Sequence, residues 1–488
     1  MTQIVLQELT IAETARRIRK KEISPVELTE RYLERIEALN PTLNAYLTLT
    51  ADQALASAKT AEREVRRGKY RGPLHGIPFS IKDNLAIKGV RTTAGTKILA
   101  EWIADLDATA VTRIREHGAI ILGKTQMHEW AKGSSGINQF FGSVHNPWDL
   151  DRIPGGSSGG SAVAVAAGLW LASLGTDSAG SVRNPASLCG VVGLKPTYGR
   201  VSTYGGVPGT GGHSTNHFGI FTKTVEDCAL VLEAIAGYDP ADMLSADAPV
   251  PRYSRRIGKA VKGMRVGLLR GYFDEAVVGE VRSALEEAAK TFKSLGMKIE
   301  EVSIPHLDLI PAVQTATSRG ESTTDHDIYL RTRPRDYSRG LLYNQIAGLL
   351  IPASVFVQAQ RVRRLICQEF EEVLGRVDVI TAPSVPVPAP TIEECRKGYL
   401  ERNGRRIALQ DERGNYLLLC TIPFNVTGLP SMSIPCGFTA RGLPIGMQIV
   451  SAPFREELVF QVAHAFERKA EWYKRRPPLG TSISMRRS

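Results

Sequence analysis

The chain has 488 residues, 43% of them hydrophobic and 23% charged, a balance that excludes a disordered or collagen-like polymer and leaves ample length for a large core. Met1-Thr2-Gln3-Ile4-Val5 lacks the basic and apolar stretches of a secretory leader, and no run approaches the roughly 18 apolar residues of a spanning helix, so a soluble, cytoplasmic protein with no membrane anchor is expected. The net charge of +11 is dispersed, with dense basic runs only at 16–21 and 474–476, and the six cysteines form no C-x-x-C pair; we read a solvated basic surface rather than a nucleic-acid face, and reduced thiols.

Thr10-x-x-Glu13 and Ser24-Pro25-x-Glu27 predict two capped helices, the second with proline at its first position and stopped by Asn40-Pro41. Tyr32, Leu33, Ile36 and Leu39 give that helix one apolar stripe, so it packs on a core. A more charged helix follows from Ala51 towards Arg67. From Leu74 the texture changes to short apolar strands, glycine-rich turns and compact helices, which predicts an α/β sheet. A small-residue helix from Gly160 to Ala167, a break at Gly168 and a strand from Leu169 to Leu174 are expected there.

A Pro-, Ala- and Arg-rich stretch at 241–262 is the best candidate boundary, and a second α/β stretch opens at Met264-Arg265-Val266-Gly267-Leu268-Leu269. Its helix turns Val281, Ala284, Ala288, Phe292 and Leu295 inward and closes at Gly296. Buried strands at Val377-Asp378-Val379-Ile380-Thr381-Ala382-Pro383 and Ser431-Met432-Ser433-Ile434-Pro435 return to the sheet. The expectation is one domain over 1–488: N-terminal helices in 1–70, a chemistry-bearing core in 71–240, a second lobe in 264–400 and a return in 401–488.

The densest chemical signal is Pro154-Gly155-Gly156-Ser157-Ser158-Gly159-Gly160-Ser161, where four glycines let backbone approach a ligand closely. It is not a Walker A loop, since no Lys-Ser or Lys-Thr follows at the required spacing. Gly155, Ser157 and Gly159 do fit G-x-S-x-G, but a polar, proline-bounded loop precedes them where a nucleophile elbow needs a buried strand. If the following helix and strand run in opposite directions, Ser157 meets the turn Gly175-Thr176-Asp177-Ser178-Ala179-Gly180-Ser181 at one end of the sheet. That turn offers consecutive backbone N–H groups of the kind that hold an oxyanion.

A serine nucleophile needs a base, and the nine histidines show no convincing Ser-His-Asp pattern. In Ile77-Pro78-Phe79-Ser80-Ile81-Lys82-Asp83-Asn84, strand alternation puts Ser80 and Lys82 on one face, where desolvation would free Lys82 to act as the base; Asp83 points the other way. Singly, a lysine or a turn serine is commonplace, and only the joint pattern carries weight. Metal readings are weak. His128-Glu129 is followed by Lys132 where a zincin has its second histidine, His213 and His217 lack an intervening glutamate, and Asp325-His326-Asp327 reads as a solvated loop.

With Ile81-Lys82-Asp83-Asn84, the 154–161 loop, Gly175-Thr-Asp-Ser-Ala-Gly-Ser-Val-Arg-Asn-Pro-Ala186 and Gly190-Val-Val-Gly-Leu-Lys-Pro-Thr-Tyr-Gly199 in order, the chain resembles the amidase signature family. The likeness runs from the Ser24-Pro25 helix to Gly442-Leu443-Pro444-Ile445-Gly446-Met447-Gln448. It implies one large mixed β-sheet covered by helices on both faces. It also implies Ser181 as nucleophile, Ser157 after a cis peptide bond as bridge, Lys82 as base, and an oxyanion hole from the N–H groups of Ser178, Ala179, Gly180 and Ser181. Ser158, Asp177 and Arg183 would support them, with Asp177 and Arg183 paired. Ala179 departs from the second glycine common there, a methyl group tolerated if its φ is negative.

The implied activity is hydrolysis of amide-type bonds, extending to carbamates and esters, without metal or cofactor, on a small molecule and by a monomer or homodimer. An alternative of similar length is the A subunit of the aminoacyl-tRNA amidotransferase. Against it, Leu418 in Tyr416-Leu417-Leu418-Leu419-Cys420-Thr421-Ile422-Pro423 stands where that subunit has an aspartate for the substrate's amino group, and its Glu-Val-Lys-Arg-Arg helix is missing near Tyr337 to Gln345. A non-catalytic scaffold is the third class, expected to lack one of Lys82, Ser157 or Ser181. The pocket walls are expected from loops around Gly133 to Asn146 and from the region after Gly296.

Overall fold

A computed structural model describes residues 4–402, 404–411, 413–479 and 484–485. Eleven strands form one mixed sheet: β1 (Tyr46–Leu49), β2 (Pro78–Lys82), β3 (Ile120–Thr125), β4 (Ala172–Asp177), β5 (Val192–Lys195), β6 (His217–Thr222), β7 (Arg265–Leu269), β8 (Lys298–Val302), β9 (Val379–Pro383), β10 (Ser431–Phe438) and β11 (Pro444–Val450). The spatial order is β1-β3-β2-β4-β6-β5-β10-β11-β9-β7-β8. The β2 strand pairs in parallel with both β3 and β4, β4 lies antiparallel to β6, and β9, β7 and β8 form a second parallel group. This is the mixed α/β sheet the sequence leads one to expect.

Fourteen helices flank it among the described residues. Those before the sheet's centre are α1 (Ile11–Arg19), α2 (Pro25–Leu43), α3 (Ala51–Arg66), α4 (Thr109–Glu116), α5 (Gly159–Ala166), α6 (Arg183–Cys189) and α7 (Val225–Ile235). The remainder are α8 (Gly279–Ser294), α9 (Ile310–Thr332), α10 (Arg339–Leu349), α11 (Ala353–Leu374), α12 (Ile392–Lys397), α13 (Ile422–Val426) and α14 (Glu456–Ala470). Short hairpins at Tyr399–Arg402 with Arg405–Ala408, and at Gln410–Asp411 with Gly414–Asn415, stand apart from the main sheet. Among the described residues no single helix is long and apolar enough to cross a membrane; α10 and α11 pass that test only together, across a 95° bend.

Local sequence explains most helix starts. Thr10 and Ser24 accept from the N–H groups of Glu13 and Glu27 at 3.1 Å, each satisfying one orphan donor of its helix. Glu13, however, pairs with Arg17, and Ser24 donates to Glu62 at 2.5 Å, so the reciprocal half of each box is replaced by a side-chain contact. The α2 helix does not stop at Pro41. It runs to Leu43, because a proline in the last turn removes only one helical bond, and Asn44 at φ 48° ends it with its N–H on Asn40 O.

The strand expected at Leu169 begins instead at Ala172. Gly168 turns at φ +64°, the Arg35 guanidinium takes the carbonyls of Ala167 and Gly168, and Trp170 packs edge-on to Tyr46, so these residues form the approach to β4. Earlier in the chain, Gly160 seats α5 directly on the sheet. A β-carbon there would fall 2.5 Å from the carbonyl oxygens of Ala45 and Gln126, so only glycine allows this approach. Asp325-His326-Asp327 is not a loop: it lies within α9, with His326 buried and bonded to Tyr337 OH at 2.7 Å. Its ring fills an aromatic cluster with Trp130, which outweighs the local polarity.

Candidate active site

Because α5 leads away from the 154–161 loop and β4 returns to it, the two serine-bearing turns lie side by side. Ser158 N donates to Ser181 O at 3.2 Å, and Ser158 Oγ donates to Thr176 O at 3.1 Å. The peptide bond between Gly156 and Ser157 is cis, and the carbonyl of Ser157 accepts the His128 N–H at 3.0 Å. Lys82, at the end of β2, reaches this meeting point: its Nζ lies 2.7 Å from Ser157 Oγ and 2.7 Å from Thr176 Oγ1. Ser181 lines the neighbouring cavity, and its Oγ makes no hydrogen bond to Ser157 or to any other described residue. The structure thus joins Lys82 to Ser157 and sets Ser181 beside them.

Lys82 is wholly buried and, among the described residues, no carboxylate oxygen lies within ion-pair distance of its Nζ. Burial pulls its pKa well below that of an ordinary lysine, and the more distant charge of Asp177 only partly offsets the effect. Asp83 does point away, as strand alternation requires, and its carboxylate is met by Lys124 at 3.3 Å and by Thr93. Asn84, which carries no role in the sequence reading, donates to Thr176 Oγ1 and to Thr210 Oγ1 at 3.1 Å each. With its lone pairs facing Lys82 and Asn84, Thr176 is a hub that no motif spacing marks.

The turn bearing Ser181 is built around Asp177. Its carboxylate accepts from the N–H groups of Gly180, Val182 and Arg183, from Arg183 Nε and Nη2, and from Asn425 Nδ2. Burial alone would push this carboxyl up, but the Arg183 guanidinium and the bonds from Arg183 and Asn425 hold it well below the usual carboxylate range. Among the described residues the N–H groups of Ser178, Ala179 and Ser181 meet no protein acceptor. Gly180 differs from the expectation: its N–H is taken by Asp177 Oδ1 at 2.8 Å, since the same bend that opens the turn wraps this donor onto the carboxylate. Gly180 has φ +125°, and a β-carbon there would fall 2.0 Å from Thr421 Oγ1. Ala179 is not among the residues with positive φ, so its methyl group costs nothing in the backbone.

A cavity of about 200 Å³ opens over Ser178, Ala179 and Ser181. Gly133 belongs to its wall, as expected, and a β-carbon on Gly133 would strike the buried His128 ring at 2.2 Å. Burial brings the pKa of that ring down to about 4, so it is neutral. Gln314 of α9 donates to Ser178 O at 3.3 Å, a contact invisible before the fold is known. The hairpin residues Gln410 and Asn415, in the region after Gly296, complete the mouth. Glu129 meets the Ser338 N–H, and His213 pairs with Asp325 at 3.1 Å; among the described residues no three His, Cys, Asp or Glu side chains gather as a metal site.

The family model for Amidase matches residues 27–460, and the chain belongs to the amidase family. Within it, the chain is 42% identical to the A subunit of the glutamyl-tRNA(Gln) amidotransferase of Moorella thermoacetica, over 98% of this chain and 100% of that one. A solved structure described as a vestigial protein complex that reveals the origins of an s-triazine catabolic enzyme superposes with a TM-score of 0.89 at 33% identity, covering 94% of this chain and 98% of the other. The peptide amidase of Stenotrophomonas maltophilia gives 0.83 at 30% identity, over 97% and 98%.

The Asp177 brace makes a stability prediction. Arg183→Met should cost about 3–5 kcal/mol, the scale for stranding one partner of a buried pair, and should lower the urea midpoint accordingly. An unchanged midpoint would show that the guanidinium does not hold the turn.

Proposed function

We propose that the protein is a stand-alone hydrolase of amide-type bonds, extending to carbamates and esters, acting through Ser181, Ser157 and Lys82. The observation that carries this reading is the 2.7 Å contact between Ser157 Oγ and a buried Lys82 Nζ with no carboxylate to keep it charged. A neutral amine there accepts the proton of Ser157 as Ser157 accepts that of Ser181, whose Oγ bonds to the substrate's carbonyl carbon. Negative charge on the carbonyl oxygen meets the unoccupied N–H groups of Ser178, Ala179 and Ser181. The relay then protonates the leaving amine as the C–N bond breaks, and water, deprotonated along the same path, releases the acid. The relay requires Ser181 Oγ to close on Ser157 as substrate enters, since catalytic hydrogen bonds often tighten only in the substrate complex.

The names of the curated relatives favour a second reading, the A subunit of a glutamine-dependent amidotransferase. Weighing against it, Leu418 lines the cavity and no Asp or Glu does so among the described residues, so the α-ammonium group of glutamine finds no counter-charge.

Ser181→Ala should abolish turnover, and a fluorophosphonate should label Ser181; labelling of Ser157 or Ser158 with Ser181 spared would overturn the assignment. For Lys82 the sign follows from burial. The active form is the free amine, so kcat/KM should rise with pH as the proton leaves, and reach its plateau well below the pH of about 10.4 at which ordinary lysine titrates. Lys82→Ala should erase that limb and lower the rate by about 10²-fold or more; an unchanged profile would remove lysine from the mechanism. The purified chain alone should hydrolyse small aryl amides, carbamates or esters with no preference for glutamine. Strong glutaminase activity seen only with partner proteins and tRNA would promote the second reading.

A further inference from the structure

One face of α9 forms a wall of the cavity. Pro311, Gln314, Thr315, Ser318, Arg319 and Ser322 line it, spaced three and four apart as a single helical stripe. Gln314 touches the Ser178 carbonyl, and Arg319 lies five residues further on, about 7.5 Å along the helix axis at 1.5 Å per residue. Lys132 lines the cavity too, close enough to α9 to feel the charges of Asp325, Glu321 and Arg319. Among the described residues neither the Lys132 ammonium nor the Arg319 guanidinium has a hydrogen bond or an ion pair, although both side chains are half-buried. Arg413, the other cation at the mouth, is matched by Asp411 at 2.8 Å.

The nearest carboxylates, Asp325 and Glu321 of α9, are already committed to other partners. Asp325 accepts from Gly209 N at 2.9 Å and pairs with His213, and Glu321 accepts from Ser214 N at 3.0 Å. No acidic side chain lines the cavity among the described residues, so its only unmatched charges are positive. Holding two cations half-buried without acceptors is costly, and an anion from solution relieves that cost.

We propose that Lys132 and Arg319 form a carboxylate-binding subsite, so that the substrate is an amide, carbamate or ester bearing a carboxylate about one and a half helical turns from the bond cleaved. This rests on the hydrolase reading above and narrows its substrate class. The planar fork of arginine fits a carboxylate with two parallel bonds, while lysine adds a point charge nearby. Burial brings the Lys132 ammonium down to about 8, with Asp325 and Glu321 opposing the shift, and a bound carboxylate would raise it again.

The test compares matched substrates with and without the charge. On the acyl side the pair is the mono-4-nitroanilide of glutaric acid against pentanoic acid 4-nitroanilide; on the amine side it is 4-acetamidobenzoate against acetanilide. For one pair, wild-type kcat/KM should favour the carboxylate by at least about tenfold, and the responding pair tells which side of the bond carries it. Arg319→Gln and Lys132→Gln should each pull that ratio towards one, and Arg319→Glu should bring it below one. If the variants misfold, protection of wild-type Ser181 from a fluorophosphonate decides: glutarate should slow labelling more than glutaramide does. Ratios near one for both pairs in the wild type, a ratio that persists in both variants, or equal protection by the two compounds would overturn the subsite. Absence of labelling and of all turnover would instead sink the hydrolase reading itself.

Discussion

The arrangement around Ser181 depends on one buried ion pair. Asp177 and Arg183 are six residues apart, at the end of β4 and the start of α6, and both are wholly enclosed. A buried carboxylate is tolerable only when its lone pairs are filled, and here backbone N–H groups, a guanidinium and an amide fill them. Arg183 then reaches onward to Thr421 O and to Gln448 Oε1, tying the turn to α13 and β11. Two parts of the chain more than two hundred residues apart therefore share one electrostatic knot. Of the turn's N–H groups, those of Gly180, Val182 and Arg183 are spent on Asp177, while those of Ser178, Ala179 and Ser181 have no acceptor among the described residues.

Lys82 is governed by the opposite choice. Its neighbours are hydroxyl groups, so nothing near it repays the cost of a buried charge. Lys124, one strand away and equally buried, has Asp83 for company. The fold separates two lysines of one sheet: the one with a carboxylate is an ion-pair partner, and the one without has its pKa pulled well below the ordinary lysine range by burial. Keeping Asp177 saturated by Arg183 is part of the same design, since it spends the only acidic charge felt by Lys82 elsewhere.

Membership of the amidase family accounts for the sheet and for the motifs that meet at its edge, while the cavity walls vary independently of them. Relatives with names as different as a peptide amidase and part of a tRNA amidotransferase share the framework with this chain. In this chain the cavity lining includes Leu418, Lys132 and the Arg319 stripe of α9.

Much of this was legible in the residues. Alternation in Phe79-Ser80-Ile81-Lys82 places Lys82 and Asp83 on opposite faces, and the glycine-rich loop, small-residue helix and returning strand bring Ser157 and Ser181 to one end, because strand period and chain reversal are local properties. Other features were decided only in three dimensions. Pro41 stays inside α2 because nearby N–H groups still find carbonyls; β4 starts late because Arg35, more than 130 residues earlier, holds the turn before it; His326 is buried because Trp130 and Tyr337 offer it a pocket. Thr176, Asn425 and Gln314 acquire their contacts in the same way. Period and turn chemistry act over a few residues and are written in the sequence, whereas burial, charge pairing and the shape of the cavity depend on which distant segments the sheet brings together.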